Sequence, residues 1–514
     1  MNLTQGLKRS IQYRPDKLAT VCGERRRTYQ ELGDRVQRMA GALRAKGVGN
    51  GEPVAILALT SDHYYEALLS IPWAGGVLVP VNIRWNVEEI VYSLDEAEVK
   101  TLLVDDQFLP LVEAIRNKSK SVSNFILMGE KPAPDGVSGC EELMVATAPV
   151  EDAERSGDDL MGIFYTGGTT GFPKGVMLSH NNLMLNALGV HAEGFLQGKD
   201  ITLLNTVPLF HMSGLLFCNI CTMTGDTQVF LPVFDPTTTL KTIQAEKITD
   251  MPLVPVMIQM AVDHPDFKDY DTRSLRRLYY GASPISEAVL QRTLSKLPNV
   301  ELSQVYGMTE LSPVCTILKH DQHIGENAAK GRLRSAGRST CFVELKIVDP
   351  EDNEVPRGTV GEIVVKAPTV MQGYLKNPKQ TAAALRDGWM LTGDGGYMDE
   401  EGFVYISDRL KDMIVTGAEN VYPAEVENSI STFPGVATSA VIGIPSEKWG
   451  EAVHAIVVPA PGATLDPNAI IAHCKSKIAG YKCPKSIEFR DALPLTGAGK
   501  VQKNVLRDEF RKGK

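Results

Sequence analysis

Short apolar runs alternate with amphipathic segments up to about residue 340. The runs that are typical of buried strands are Val54–Leu59, Thr101–Val104, Phe125–Met128, Gly162–Tyr165, Val229–Leu231 and Leu278–Tyr280. The segment Thr28–Lys46 has the spacing of a helix instead. One face of that helix collects Leu32, Val36, Met39, Ala40 and Leu43. Strands that alternate with helices predict an α/β architecture.

Beyond about residue 340 the pattern changes to strands and turns. The segments CFVELKIVD, GEIVVKA and FVYISD predict an antiparallel, β-rich region, and the charged run Asp408–Asp412 then interrupts the apolar pattern. The segment after it has strands of its own at Ala440–Ile444 and Ala455–Val458, as a separate small domain would. We therefore expect an α/β protein with a large N-terminal domain over residues 1–408, built from αβ sheets and a β-rich subdomain. A small, mobile α+β domain should follow over residues 409–514.

Composition and charge exclude several classes of protein. The chain has 514 residues, 43% of them hydrophobic, and a formal net charge of −9. This length suits two or more domains, and the negative charge argues against a nucleic-acid partner. No apolar run approaches the roughly 20 residues of a membrane span. The first residues lack the apolar core of a signal peptide, and the last three are not a peroxisomal signal. We expect a cytoplasmic protein without an integral membrane segment, and a homo-oligomer remains possible.

Eight cysteines are scattered along the chain. Cys218 and Cys221 form a CxxC pair, but this pair lies inside the apolar run GLLFCNICTMT, with neither a second CxxC nor paired histidines nearby. A zinc site needs such partners. The sequence therefore favours reduced cysteines that pack as small buried hydrophobic residues.

The stretch Tyr165–Gly175, YTGGTTGFPKG, follows an apolar run and combines four glycines, three threonines and one lysine. Glycines let the backbone come close to a ligand. Successive N–H groups, hydroxyls and a lysine then suit a phosphate group. The stretch is not a Walker A motif, because Gly175 rather than Ser or Thr follows Lys174. On these residues alone, a flexible surface loop remains the alternative interpretation.

Five further segments carry candidate chemistry. They are LFHMSG at 209–214, YGASP at 280–284, VYGMTE at 305–310, WMLTGD at 389–394 and PLTGAGK at 494–500. Each has a structural alternative when taken singly: a core histidine for His211, packing for Tyr306, a turn for Asp394 and a solvated tail residue for Lys500. Their order and spacing behind the Gly/Thr loop favour the chemical interpretation.

Together these segments resemble the adenylate-forming superfamily, which includes acyl-CoA synthetases, adenylation domains of peptide synthetases and firefly-type luciferases. The resemblance extends from TYQEL at 28–32 to Lys503, and its hallmark segments are TGGTTGFPKG, YGMTE, LTGD and DRLKDMIVTGAENVYPAEVE. Within the superfamily, GAENVYPAEVE and IPSEKWGE are most similar to fatty-acyl and aryl-acyl CoA ligases. The resemblance implies ATP, Mg²⁺ and coenzyme A as cofactors.

The resemblance also implies a role for each residue of the first half-reaction, in which a carboxylic acid attacks ATP. Residues expected to hold the β- and γ-phosphates are Thr166, Gly167, Gly168, Thr169, Thr170 and Lys174. Thr309 should contact the α-phosphate and Glu310 should bind magnesium, since a hard cation prefers oxygen ligands. Residues expected around adenine and ribose are Tyr306 with Gly307, the backbone of Gly281, Ala282 and Ser283, Asp394, and Arg409. Lys500 should reach the acyl carboxylate and the α-phosphate, as the catalytic lysine.

In the second half-reaction, the thiol of CoA displaces AMP. The family achieves this step by rotating its small domain about a hinge, which corresponds to 408–411 with Lys411 as the pivot. Rotation would remove Lys500 and bring Gly417 against pantetheine. Trp449 would flank the same tunnel, although an ordinary packing role for this tryptophan is a close competitor.

The acyl group should bind beside His211, which the resemblance places next to the reacting carboxylate. Expected pocket residues are His211, Met212, Leu215, Val305, Met308 and Val314. No lysine or arginine in the segments that supply these pocket residues offers a partner for a second carboxylate. Dicarboxylic acids are therefore disfavoured as substrates. Fatty acids and aryl acids are equally compatible with these residues.

We therefore expect an AMP-forming acyl-CoA ligase that acts on a hydrophobic carboxylic acid. Two alternatives remain open. One keeps adenylation but changes the acceptor to a carrier-protein thiol, or to dioxygen as in luciferase. The other is a non-catalytic nucleotide sensor, although such a protein should have lost charged groups, and Lys174, Glu310, Asp394, Arg409 and Lys500 are all present.

Overall fold

The computed structural model describes residues 1–166, 173–409, 412–416, 419–446, 449–496 and 501–511, with only the backbone described for Asp408, Arg409 and Asn420. Its strands, in chain order, are β1 (Leu18–Cys22), β2 (Arg25–Thr28), β3 (Pro53–Leu57), β4 (Val77–Pro80), β5 (Thr101–Val104), β6 (Asn124–Leu127), β7 (Ser138–Gly139), β8 (Leu160–Thr166), β9 (Lys174–Ser179), β10 (Thr202–Asn205), β11 (Thr227–Phe230), β12 (Asp250–Leu253), β13 (Arg277–Gly281), β14 (Glu301–Gly307), β15 (Val314–Leu318), β16 (Arg338–Ser339), β17 (Glu344–Val348), β18 (Gly361–Lys366), β19 (Gly373–Tyr374), β20 (Leu385–Arg386), β21 (Trp389–Met398), β22 (Val404–Arg409), β23 (Ile414–Thr416), β24 (Glu419–Val421), β25 (Val436–Ser446), β26 (Gly450–Pro459) and β27 (Ser486–Phe489).

The helices are α1 (Gln5–Tyr13), α2 (Tyr29–Ala45), α3 (Asp62–Ala74), α4 (Val87–Glu96), α5 (Val112–Lys118), α6 (Cys140–Val145), α7 (His180–Ala192), α8 (Met212–Thr224), α9 (Pro236–Glu246), α10 (Pro255–Val262), α11 (Glu287–Lys296), α12 (Gly325–Ala329), α13 (Pro378–Ala384), α14 (Pro423–Ser431), α15 (Pro467–Lys477) and α16 (Lys503–Arg511). Within the described residues, no helix is both long and apolar enough to cross a membrane.

Two mixed sheets form the large N-terminal part of the molecule. One has the strand order β16-β15-β14-β13-β12-β10-β11-β1-β2, and the other has the order β19-β9-β8-β4-β3-β5-β6-β7. Neighbours in the centre of each sheet are parallel, as in β12–β13–β14 and in β4–β3–β5–β6. Parallel strands need crossover connections, which the intervening helices supply. This arrangement confirms the α/β prediction.

The later part of the chain forms two smaller sheets. The strands β17-β18-β21-β20, with β22 beside β21, make an antiparallel sheet. A second sheet has the order β24-β23-β26-β25, with β27 parallel to β26, and α14, α15 and α16 accompany it. A β-rich region and a smaller C-terminal α+β unit were both predicted from the change of pattern after residue 340.

Helix α2 shows how local sequence sets an element. Its N-cap, Thr28, accepts a hydrogen bond from the Glu31 amide through Oγ1, and the Glu31 carboxylate accepts one from the Thr28 amide at 2.7 Å. This capping box satisfies two backbone groups that a helix end leaves open. The predicted apolar face is buried, with Leu32, Val36 and Leu43 completely inaccessible to solvent.

The cysteines are free thiols, and most of them are buried. Cys218 and Cys221 lie inside α8, where burial raises the pKa of both thiols. The exception is Cys341, which is exposed. It precedes Phe342 in the turn that leads from β16 to β17, outside the strand that the apolar run CFVELKIVD suggested.

Candidate functional site

The Gly/Thr stretch connects the two strands of a hairpin. Strands β8 and β9 are antiparallel, with Tyr165 opposite Gly175 and Thr166 opposite Lys174. The β8–β9 pairing therefore holds Thr166 and Lys174 side by side, and both are predicted to bind phosphate. Four residues predicted for the same role lie outside the described part of the chain: Gly167, Gly168, Thr169 and Thr170.

Lys174 and Glu310 both contact one side chain, Tyr374. The ammonium of Lys174 lies over the Tyr374 ring, 4.7 Å from its centroid. The Tyr374 hydroxyl donates a hydrogen bond to Oε1 of Glu310 at 2.9 Å. Both Glu310 and Tyr374 are buried, at 5% and 6% exposure. A buried carboxylate must be hydrogen-bonded or bound to a cation, and Tyr374 satisfies one of the two oxygens.

Tyr306 and Asp394 come together from different sheets. Tyr306 lies near the end of β14, and its hydroxyl donates to Oδ2 of Asp394, on β21, at 2.7 Å. Burial raises the pKa of the Tyr306 phenol well above its ordinary value, and the Asp394 carboxylate raises it further. The phenol therefore stays protonated and remains the donor of this hydrogen bond. Thr309 and Glu310 stand three and four residues after Tyr306, in a short 3₁₀ turn.

Strand β13 ends beside β14 at the predicted adenine-binding backbone. Gly281 is paired with Val305, and Ala282 has a left-handed backbone with φ of 69°. A Cβ atom on Gly281 would lie 2.4 Å from the Val305 carbonyl oxygen. Ser283 is half-buried in the turn that follows. Close packing of the two strands thus explains why a glycine stands at this position.

Gly281→Ala is expected to lower the apparent melting temperature, because the new methyl group must separate β13 from β14. Overpacking of this kind costs about 1–3 kcal/mol. Differential scanning fluorimetry measures the effect. Gly49→Ala is the matched control, since a Cβ on Gly49 meets nothing within 4 Å and its backbone is not left-handed. Equal melting temperatures for the two variants would contradict the packing argument.

The predicted acyl-pocket residues divide between two apolar clusters. Met212 and Leu215 belong to the main core of the large part, against which Met308 packs. Val314 belongs to a second cluster, with Val305 packed against it. His211 caps the N-terminus of α8, directly before Met212, with its ring 4.1 Å from that of Phe210. Val305 and Met308 stand on either side of Tyr306 in the chain, and they pack against different clusters.

The C-terminal unit touches the large part of the molecule at Arg84. The guanidinium of Arg84 donates to the carbonyl of Thr496 at 2.9 Å, and the neighbouring Trp85 contacts Tyr165 edge to face, with ring centroids 6.2 Å apart. Arg409 stands opposite Asp394 in the β21–β22 pairing. Trp449 is 41% exposed at the start of β26. The predicted residues Lys411, Gly417 and Lys500 lie outside the described residues.

The motifs did not reveal Tyr374 or Arg84, although both contact predicted elements of the site. Tyr374 lies in the two-residue strand β19 and Arg84 lies in the loop after β4. Both are single polar residues next to apolar ones, a pattern that is common on any protein surface. Only their tertiary contacts distinguish them.

Comparisons with known proteins identify the family of this chain. The family model described as AMP-binding enzyme matches residues 7–375, and the model described as AMP-binding enzyme C-terminal domain matches residues 425–500. The chain is 38% identical to feruloyl-CoA synthase of an Amycolatopsis species, with 94% of each chain covered. It is 36% identical to the fatty acid–[acyl-carrier-protein] ligase ScoC of Streptomyces coeruleorubidus, with 99% of this chain and 96% of that protein covered.

A solved structure is also similar to this chain in fold and in sequence. The crystal structure of ATP-bound MatB from Rhodopseudomonas palustris superposes with a TM-score of 0.89 at 33% identity, over 99% of each chain. The match covers both the large part and the C-terminal unit. Since the two family models and these relatives match nearly the whole chain, the chain belongs to the family of AMP-binding enzymes.

Proposed function

We propose that this protein is an ATP-dependent acyl-CoA ligase that converts a hydrophobic carboxylic acid to its CoA thioester through an acyl-adenylate. One observation carries the proposal: the groups needed for nucleotide chemistry form two sets of contacts, which the short segment 306–310 connects into one series. The series runs from Lys174 through Tyr374 to Glu310, along the chain to Tyr306, and across to Asp394. Similarity to acyl-activating relatives over nearly the whole chain supports the same assignment.

The first half-reaction requires two anions to approach each other. A carboxylate oxygen of the acid attacks the α-phosphorus of ATP, the bond to the bridging oxygen breaks, and pyrophosphate leaves. Positioning and charge stabilisation govern such phosphoryl chemistry. Lys174, with Thr166 and the Gly167–Thr170 stretch, would bind the departing phosphates, and Thr309 would bind the α-phosphate. Lys500 would offset the charge that develops between them.

The nucleoside would bind at the other end of the series of contacts. Asp394 would accept hydrogen bonds from the ribose hydroxyls, with Arg409 nearby, and Tyr306 would stack on adenine beside the backbone of Gly281 and Ala282. A hydrogen bond to an ionised acceptor is stronger than a neutral one. Because Tyr306 already donates to one oxygen of Asp394, the carboxylate is held in a fixed orientation for the ribose.

The residues fit a magnesium ion that arrives with the nucleotide. Within the described residues, no group of three or more His, Cys, Asp or Glu side chains could hold a metal. Mg²⁺ at nucleotide sites typically takes one or two carboxylates and completes its shell with phosphate oxygens and water. The buried carboxylate of Glu310 suits that role. When bound, the ion would neutralise charge on the phosphates.

In the second half-reaction the CoA sulfur, as thiolate, attacks the acyl carbon, and AMP leaves with the bonding electron pair. We propose that the 409–514 unit rotates about a hinge near Lys411. The rotation would withdraw the surface that carries Lys500 from the site and bring in the surface that carries Gly417. Trp449 would then flank the pantetheine arm. Its exposure in this structure is compatible with a ligand-facing role.

The decisive test separates CoA from other acceptors. Purified protein is incubated with a hydrophobic acid, ATP, Mg²⁺ and CoA, and products are identified by mass spectrometry, with CoA omitted in the control. We expect acyl-CoA, AMP and pyrophosphate. Acyl-adenylate without a thioester would favour a carrier-protein acceptor, as in the relative ScoC. Pyrophosphate release at background level over a broad acid panel would favour a nucleotide sensor.

A substrate panel of varied chain length and ring type would identify the acid. The predicted pocket is apolar, with Met212, Leu215 and Val314 buried, so monocarboxylic fatty or aryl acids are expected to exceed dicarboxylic acids of the same length. Methionine side chains adapt to varied ligand shapes. A clear preference for a dicarboxylic acid would contradict the proposed pocket.

A further inference from the structure

We propose that Tyr374 is a positioning residue that orients the magnesium-binding carboxylate of Glu310 and supports the phosphate-binding Lys174. The proposal rests on the function proposed above, since it assigns Tyr374 to the nucleotide site of that reaction. Tyr374 lies outside every motif that predicted the site. It is the one described side chain shown in contact with both charged groups.

The backbone fixes the place of the Tyr374 ring. Strand β19 pairs with β9, so that Tyr374 stands opposite Val176, two residues after Lys174. The Leu375 amide donates to the Gly175 carbonyl at 2.7 Å, and the Met371 amide donates to the Glu310 carbonyl at 2.9 Å. Residues 371–375 are therefore bonded both to the strand of Lys174 and to the turn of Glu310.

A further hydrogen bond fixes the backbone of Tyr374. The Tyr374 amide donates to Oγ1 of Thr381 at 2.9 Å, and a Cβ on the preceding Gly373 would meet the Thr381 side chain at 2.9 Å. With its backbone bonded on both sides and its side chain buried, the Tyr374 ring has little freedom to turn. A rigid support of this kind is what a bound metal's ligand needs to keep its orientation.

The hydroxyl determines which carboxylate oxygen faces a metal. Oε1 of Glu310 accepts the Tyr374 hydrogen bond, whereas Oε2 accepts none from the described residues. A carboxylate with one oxygen fixed by a donor presents the other in a defined direction. Residues that orient a metal ligand typically change metal affinity or activity by about 10- to 100-fold when they are replaced.

The ring has a separate role, because it lies under the Lys174 ammonium. A cation over the face of a tyrosine ring is attracted by the ring quadrupole, and at 4.7 Å the Lys174 ammonium is well within the range of this attraction. The ring keeps Lys174 at the start of β9, next to the stretch that is predicted to bind phosphate. The hydroxyl and the ring can therefore be separated by substitution: Tyr374→Phe removes only the hydroxyl, and Tyr374→Leu removes both.

The test measures binding of an ATP analogue with a methylene bridge between the α- and β-phosphates, by calorimetry, with Mg²⁺ and with EDTA. Wild type is expected to bind more tightly with Mg²⁺. Tyr374→Phe should lose about 10-fold of affinity with Mg²⁺ and should match wild type with EDTA. Tyr374→Leu should be weaker under both conditions. In a Glu310→Gln background, Tyr374→Phe should have no further effect, because the carboxylate that it orients is gone.

The matched control is Tyr270→Phe, in a different apolar cluster, and it should behave as wild type does. Wild-type affinity of the Tyr374→Phe variant for the analogue with Mg²⁺ would overturn the positioning role. An equal loss of affinity with Mg²⁺ and with EDTA would overturn it too. So would an undiminished effect of Tyr374→Phe in the Glu310→Gln background. Acyl-CoA formation by the wild-type protein is measured separately, so failure of the proposed function is distinguished from failure of the Tyr374 assignment.

Discussion

Lys500→Ala is expected to reduce acyl-adenylate formation by at least about 100-fold, because it removes the cation that offsets charge developing at the α-phosphate. Loss of one preorganised group that stabilises a transition state typically costs about 10²–10³ in rate. The effect is confined to the first half-reaction, since Lys500 should leave the site before CoA attacks. ATP–pyrophosphate exchange measures this step. Thioester formation from a supplied acyl-adenylate measures the second step, and it should stay near the wild-type rate.

Lys475→Ala is the matched control, since it removes the same charge from an exposed position on α15 of the same C-terminal unit. It should leave both half-reactions unchanged. Gly417→Leu is the reciprocal variant: a large side chain facing pantetheine should slow thioester formation and spare pyrophosphate exchange. If Lys500→Ala and Gly417→Leu lost the same half-reaction, rotation of the C-terminal unit between two working positions would be contradicted.

Asp394→Asn is expected to lower kcat/KM for ATP by about 10- to 100-fold. Asp394 is 6% exposed and accepts a hydrogen bond from the Tyr306 hydroxyl. Its carboxylate is proposed to accept the ribose hydroxyls as well. Hydrogen bonds to a charged group contribute about 1.5–3 kcal/mol, and the amide replaces one acceptor oxygen by a donor. Most of the loss should appear in KM for ATP, because the ribose contact exists in the ground state.

The control for this variant is Asp387→Asn, in the turn between β20 and β21. Asp387 is exposed and has a left-handed backbone with φ of 48°, which asparagine tolerates. Steady-state kinetics with ATP and with the acid varied in turn measure both variants. Asp394→Asn should leave KM for the acid unchanged. A rise in KM for the acid with KM for ATP unchanged would contradict the assignment of Asp394 to the nucleotide.

Much of the fold was predictable because its signals are local. The run at 101–104 became β5 with the same ends, and the apolar face of 28–46 became the buried side of α2. The spacing of apolar residues along a strand or a helix shows which of its faces is buried. This spacing can be read within a short segment of the sequence. The exposure of Cys341 was missed, since an apolar run does not show where its strand begins.

The motifs by themselves determined the family, and they predict which residues bind phosphate, a metal, a ribose or a carboxylate. Side-chain type and spacing within a short segment carry that information. The tertiary structure alone decided which segments meet. The bonds Tyr306–Asp394, Tyr374–Glu310 and Arg84–Thr496 join residues that are 88, 64 and 412 positions apart. Contacts at such separations depend on sheet order and crossover packing, which no local pattern encodes, and for that reason Tyr374 became visible only in the folded chain.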